Sequence, residues 1–84
     1  MTSSEELKSI LKEAGIKTIL DRWKTPSGGE YATFNIQGKV YCLSVNLSAP
    51  VKYVFSIDEG KYLKMHYTGN VKINLIKRIQ EQQE

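Results

Sequence analysis

Two side chains in this sequence could begin nucleophilic chemistry, the single cysteine Cys42 and the single histidine His66. A nucleophile and its base must share a surface, with a third group orienting the base. Strand alternation puts Cys42 and His66 on one sheet face, but Asp21, Asp58 and the glutamates stand at no spacing that would orient the imidazole. Cys42 is therefore read as a small apolar residue. A zinc site needs three or four Cys or His ligands, more than this pair supplies. Asp58-Glu59 adjoins Gly60, in a short loop where acids and glycine are favoured for turn geometry alone. Gly28-Gly29 lacks the further glycines and the lysine of a phosphate loop and leads into a strand instead of a helix. The expectation is a protein that is not an enzyme and takes no cofactor and no metal.

What remains is binding chemistry. The net charge is +3, but from Lys17 to Arg78 ten Lys or Arg face only Asp21, Glu30, Asp58 and Glu59, a balance of +6. A basic middle favours anionic partners, and it also serves plain solubility. Alternation puts Tyr31, Tyr62 and His66 on one face with Lys52 and Lys64, where aromatic rings would stack on bases and lysines would meet phosphates. Arg22, Trp23 and Lys24, just before the Pro26 to Gly29 turn, would add a basic aromatic tip. The expected function is low-specificity binding of single-stranded DNA or RNA. The alternative is a protein-interaction or inhibitor module, with a homodimer through the same face as one form of it. A dry patch of Val40, Cys42 and Val54 there would favour the interface; scattered cations would count against nucleic acid.

These residues need elements to hold them. Ser3 and Ser4 stand before Glu5 and Glu6, which puts a capping serine three residues ahead of a glutamate, and Leu7, Ile10, Leu11 and Ala14 line one face of a helix over 4–14 that Gly15 stops. Residues 16–24 fit strand or helix, with β-branched Ile16, Thr18 and Ile19 favouring strand. Turn residues at Pro26 to Gly29, Gln37-Gly38, Ser48 to Pro50 and Asp58 to Gly60 then divide a meander with strands at 16–24, 30–36, 39–47, 51–57 and 61–67. A closing helix follows Thr68-Gly69-Asn70, carrying Val71, Leu75, Ile76 and Ile79 on one side. Ile73 fits that stripe badly, so the element could begin as strand.

The fold class predicted is α+β, a single domain over 1–84: an N-terminal helix, a five-stranded antiparallel meander, curved or barrel-like, and a C-terminal helix. Phe34, Leu43, Val45, Phe55 and Leu63, with Leu7, Leu11, Leu75 and Ile79, are the expected core; Val51, Met65 and Tyr67 fall on the same face. The 40% apolar and 25% charged residues are ordinary for a globular chain. No apolar run approaches the roughly 20 residues of a membrane span. The polar, acidic start is unlike a secretory signal, so a cytoplasmic location is expected, and a lone cysteine forms no internal disulfide, so the domain must hold together by packing.

Leu11-Lys12-Glu13-Ala14-Gly15-Ile16, then an extended segment, a Gly-rich turn and a strand ending Phe34-Asn35-Ile36, resembles the last helix and wing of a winged-helix DNA-binding domain. The resemblance implies a helix followed by a hairpin; the earlier helices of that fold have no counterpart here, and more strands follow. In layout, the open sheet with a closing helix is similar to single-strand-binding transcriptional coactivators and oligonucleotide-binding barrels.

Overall fold

Thr2, not Ser3 or Ser4, begins the first helix. In the computed structural model, which describes residues 1–84, the Thr2 hydroxyl accepts from the Glu5 N–H at 3.1 Å while Glu5 Oε1 accepts from the Thr2 N–H at 2.9 Å. This capping box sits one residue earlier than the serines suggest, because Ser3 and Ser4 bond elsewhere: Ser3 Oγ accepts from the Leu47 N–H, and Ser4 Oγ from Arg22. Helix α1 spans Ser3–Glu13, and Gly15, at φ +83°, turns the chain away.

Five strands follow: β1 Ile19–Lys24, β2 Glu30–Ile36, β3 Lys39–Val45, β4 Tyr53–Asp58 and β5 Leu63–Gly69, and helix α2 spans Lys72–Glu81. Residues 19–24 are thus strand. All neighbours are antiparallel in the order β1-β2-β3-β4-β5. The sheet is open, with β1 and β5 as its edges, so the barrel-like variant does not form. Gln37 and Gly38 both adopt positive φ, 52° and 81°, the geometry of a tight two-residue hairpin, and Asn35 Oδ1 accepts from the Gly38 N–H at 2.9 Å. The helix-plus-hairpin likeness to a winged helix ends at β2, because the strands beyond continue one five-stranded sheet.

Both helices lie on one side of the sheet, over Phe34, Leu43, Val45 and Phe55, all fully buried along with Leu7, Ile10, Leu75 and Ile79. At the heart of this layer the buried Glu6 carboxylate accepts from Tyr53 Oη at 2.6 Å and pairs with Lys72 Nζ at 3.2 Å; Lys72 also reaches Glu13 at 3.2 Å and Ser9 Oγ at 3.0 Å. One lysine so ties α2 to α1, and one tyrosine ties α1 to β4. Burial alone would raise the Glu6 pKa, but the hydrogen bonds from Tyr53 and Lys72 outweigh it and hold the carboxyl below its ordinary value.

The final strand departs from the expected alternation. Phe55 pairs with Tyr67, yet Ser56 pairs with Met65, leaving His66 as an extra residue. Such a bulge shifts the side-chain phase by one, so every residue before it changes face. Leu63 and Met65, expected in the core, turn to the helix-free side and are 43% and 53% exposed. Lys64 and His66, expected on the open face, turn to the helix side; the His66 ring lies 5.8 Å from the rings of both Tyr41 and Phe55. Tyr67, beyond the bulge, keeps its expected face and packs against the core. Val51 precedes the start of β4 and is exposed instead of buried.

Candidate functional site

The helix-free face is defined by strand register. Pairings of Trp23 with Tyr31, Tyr31 with Ser44, Cys42 with Ser56, Ser56 with Met65 and Asp58 with Leu63 run across all five strands on that side. Its outer residues include the aromatic and aliphatic Trp23, Tyr31, Val40, Val54, Leu63 and Met65, interleaved with the polar Thr33, Asn35, Ser44 and Thr68. Trp23 and Tyr31 stack with ring centroids 4.4 Å apart and planes inclined by 29°, a cross-strand pair that orders both rings at one end of the face. Cys42 and Ser56 lie at the centre and are buried, 4% and 2% exposed, although no helix covers them. Tyr31 leans over this centre; burial and its contact with the Cys42 thiol push the phenol well above its ordinary value.

The charges on this face differ from expectation. The strand positions facing outwards include no lysine or arginine, and their only charged members are Asp21 and Asp58. Of the residues expected to form a basic aromatic platform, the structure brings together Trp23 and Tyr31. Arg22 faces the helix layer, where it pairs with Glu30 at 3.0 Å and bonds to Ser4, clamping β1 and β2 to α1. Lys24 borders a small hollow beside Ser3 and Ser4 at the start of α1. Lys52 stands before β4, its N–H donating to Asn70 Oδ1 at 2.7 Å, and its charge acts on Glu6 in the helix layer. Tyr62 lies in the β4–β5 turn, 64% exposed. Lys64 and His66 are moved by the bulge, and His66 is held below its ordinary pKa first by burial and then by the charges of Lys64 and Arg78. His66 and Cys42 consequently lie on opposite sides of the sheet.

Leu63 and Met65 are the members of this face that alternation missed. Nothing local announces their change of side, because the bulge contains no glycine and appears only once Phe55 is paired with Tyr67. No group of three or more His, Cys, Asp or Glu residues is arranged to hold a metal ion, and no helix is long and apolar enough to cross a membrane. Comparison with known proteins matched no family model, no curated protein and no solved structure.

Proposed function

We propose that this protein is a non-catalytic interaction module that binds another protein through the helix-free face of its sheet. The observation that carries the proposal is the composition of that face. Trp23, Tyr31, Val54, Leu63 and Met65 offer aromatic and aliphatic surface, and the strands add no cation to it. Interface centres are depleted in charge and enriched in aromatic residues and methionine. A phosphate backbone needs cations where it lies, and Asp21 and Asp58 would repel it. The fitting partner has an apolar patch flanked by basic residues. A second copy would bring two acid-bearing faces together, so a heterologous partner suits the face better than a homodimer. The proposed compartment is the cytoplasm, on the ground that a single unpaired thiol fits a reducing environment.

Nucleic-acid binding is the second reading, favoured by one observation: only Arg22, Lys72 and Arg78 are ion-paired, and the other lysines are free to meet phosphate. One experiment separates the two. The immobilised chain, with Met65→Asp on the face and Lys64→Glu on the opposite side, is challenged with extract of its own cells and with labelled single-stranded DNA over a salt series. A protein retained by the wild type and by Lys64→Glu but lost with Met65→Asp supports the interface. Retention that ignores Met65, together with DNA binding that weakens linearly in log salt, would replace it with the nucleic-acid reading.

A further inference from the structure

A second surface, on the helix side of the sheet and apart from the face just described, combines charge with an apolar floor. Where α1 ends and the chain turns into β1, a groove of about 310 Å³ is lined by Lys8, Lys12 and Lys17 around Leu11, Ile16 and Ile19. Lys8 and Lys12 are one helical turn apart on α1, so both project towards the same side. No acid lines the groove. On α1, Glu13 pairs with Lys72 and Glu5 serves the Thr2 cap, and on β1 Asp21 accepts from the Arg22 N–H at 2.8 Å. Glu5 does feel the Lys8 charge one turn away, but it forms no salt bridge with it. Three exposed lysines thus share one groove without a counter-charge in contact. The groove also opens beside β1, an edge strand whose outer backbone groups meet no other strand, with the Arg22 N–H held by Asp21 Oδ1 at 2.8 Å and the rest open.

We infer that this groove binds an extended acidic peptide segment of a partner protein, in which carboxylates alternate with aliphatic side chains. The lysines answer the carboxylates. Leu11, Ile16 and Ile19 receive the aliphatic groups, and the free edge of β1 provides backbone pairing for a chain in extended form. Nucleic acid fits less well, because the groove offers no aromatic ring on which a base would stack.

The test is fluorescence anisotropy of the full chain with a labelled synthetic peptide of alternating glutamate and leucine at low salt. Unlabelled single-stranded DNA, phosphatidylserine vesicles and an alternating lysine and leucine peptide serve as competitors. The inference expects saturable binding of the acidic peptide, loss of roughly tenfold or more in affinity for a combined Lys8→Ala, Lys12→Ala, Lys17→Ala variant, and recovery when the three positions carry arginine. All three lysines are exposed, so these variants keep the fold, which circular dichroism checks. Met65→Asp, on the other face, should bind the peptide unchanged. No binding at low salt, equal affinity for the triple alanine variant, or loss with Met65→Asp would each overturn the inference. Displacement by DNA or by vesicles at lower concentration than by unlabelled acidic peptide would overturn it too, and would mark the groove as a phosphate site. None of these results bears on whether the sheet face holds its own partner, so the two proposals fail separately.

Discussion

Glu6 and His66 are the two ionisable side chains drawn into the helix layer whose pKa values are both lowered, and each makes the fold sensitive to acid. A group whose folded pKa is depressed stabilises the fold fully above its unfolded value and loses that contribution as the pH falls through the folded one. For His66 the loss begins below about its ordinary value of 6.5, and for Glu6 below 4.5. Stability should therefore fall in two limbs on acidification. Urea midpoints measured across this range should lose the upper limb in His66→Gln and show a shallower lower limb in Glu6→Gln, where Glu5, also held below its ordinary value by Thr2, still titrates. A profile in which the upper limb survives in His66→Gln would show that the imidazole is not the titrating group. The bulge makes a further prediction about truncations. Phe55→Ala, at a fully buried ring, should cost about 3 to 5 kcal/mol, whereas Leu63→Ala, on the exposed face, should stay within roughly 1 kcal/mol. Equal losses in chemical denaturation would return Leu63 to the core.

Helix α2 begins without a capping side chain of its own. Val71 stands at its N-cap, and the Tyr67 hydroxyl accepts from the Val71 N–H at 3.0 Å, with the Val71 carbonyl 3.3 Å from the same oxygen. A residue of β5 thus holds the start of the helix, bridging over Gly69. A Cβ at Gly69 would meet Tyr67 Oη at 2.7 Å and Cζ at 3.0 Å, so a side chain there would push the Tyr67 ring aside. Gly69→Ala should therefore lower stability by forcing Tyr67 off the helix start, and Tyr67→Phe should cost about 1 kcal/mol for the lost bonds. A thermal denaturation in which Gly69→Ala melts with the wild type would rule out this junction. At the other end, Thr2→Ala should remove about 0.5 to 2 kcal/mol from α1.

For the molecule as a whole, the helices and the sheet divide the charge. Lysines and arginines gather on the helix side and around its rim, while the open face keeps Asp21 and Asp58 among aromatic and aliphatic residues. Exposed aromatic and aliphatic side chains gathered on one face are the kind of surface that interaction sites use. If it is an interface, Trp23→Ala and Met65→Ala should weaken partner binding by more than 1 kcal/mol each, roughly the threshold for an energetically important interface residue, with little change in stability. Calorimetric titration of the captured partner into each variant measures this.

The sequence alone determined most of the elements and most of the core, leaving residues 16–24 open between strand and helix. Helical spacing of Leu7, Ile10, Leu11 and Ala14 and the turn residues at Pro26 to Gly29, Gln37-Gly38 and Asp58 to Gly60 act within a few residues of one another, so they can be read locally. Strand alternation then assigned Phe34, Leu43, Val45 and Phe55 correctly, because β2, β3 and most of β4 keep an unbroken two-residue period. The tertiary structure decided the candidate site. A single extra residue at His66, set by pairing Phe55 with Tyr67 across two strands, exchanged Lys64 and His66 for Leu63 and Met65 on the open face. Likewise Arg22 was drawn to the helix side by Glu30 and Ser4, partners eight and eighteen residues away. A period of two carries no record of where it slips, and an ion pair between distant segments exists only once they are packed together. The sheet could thus be read from the chain, whereas the chemistry of its open face depended on register.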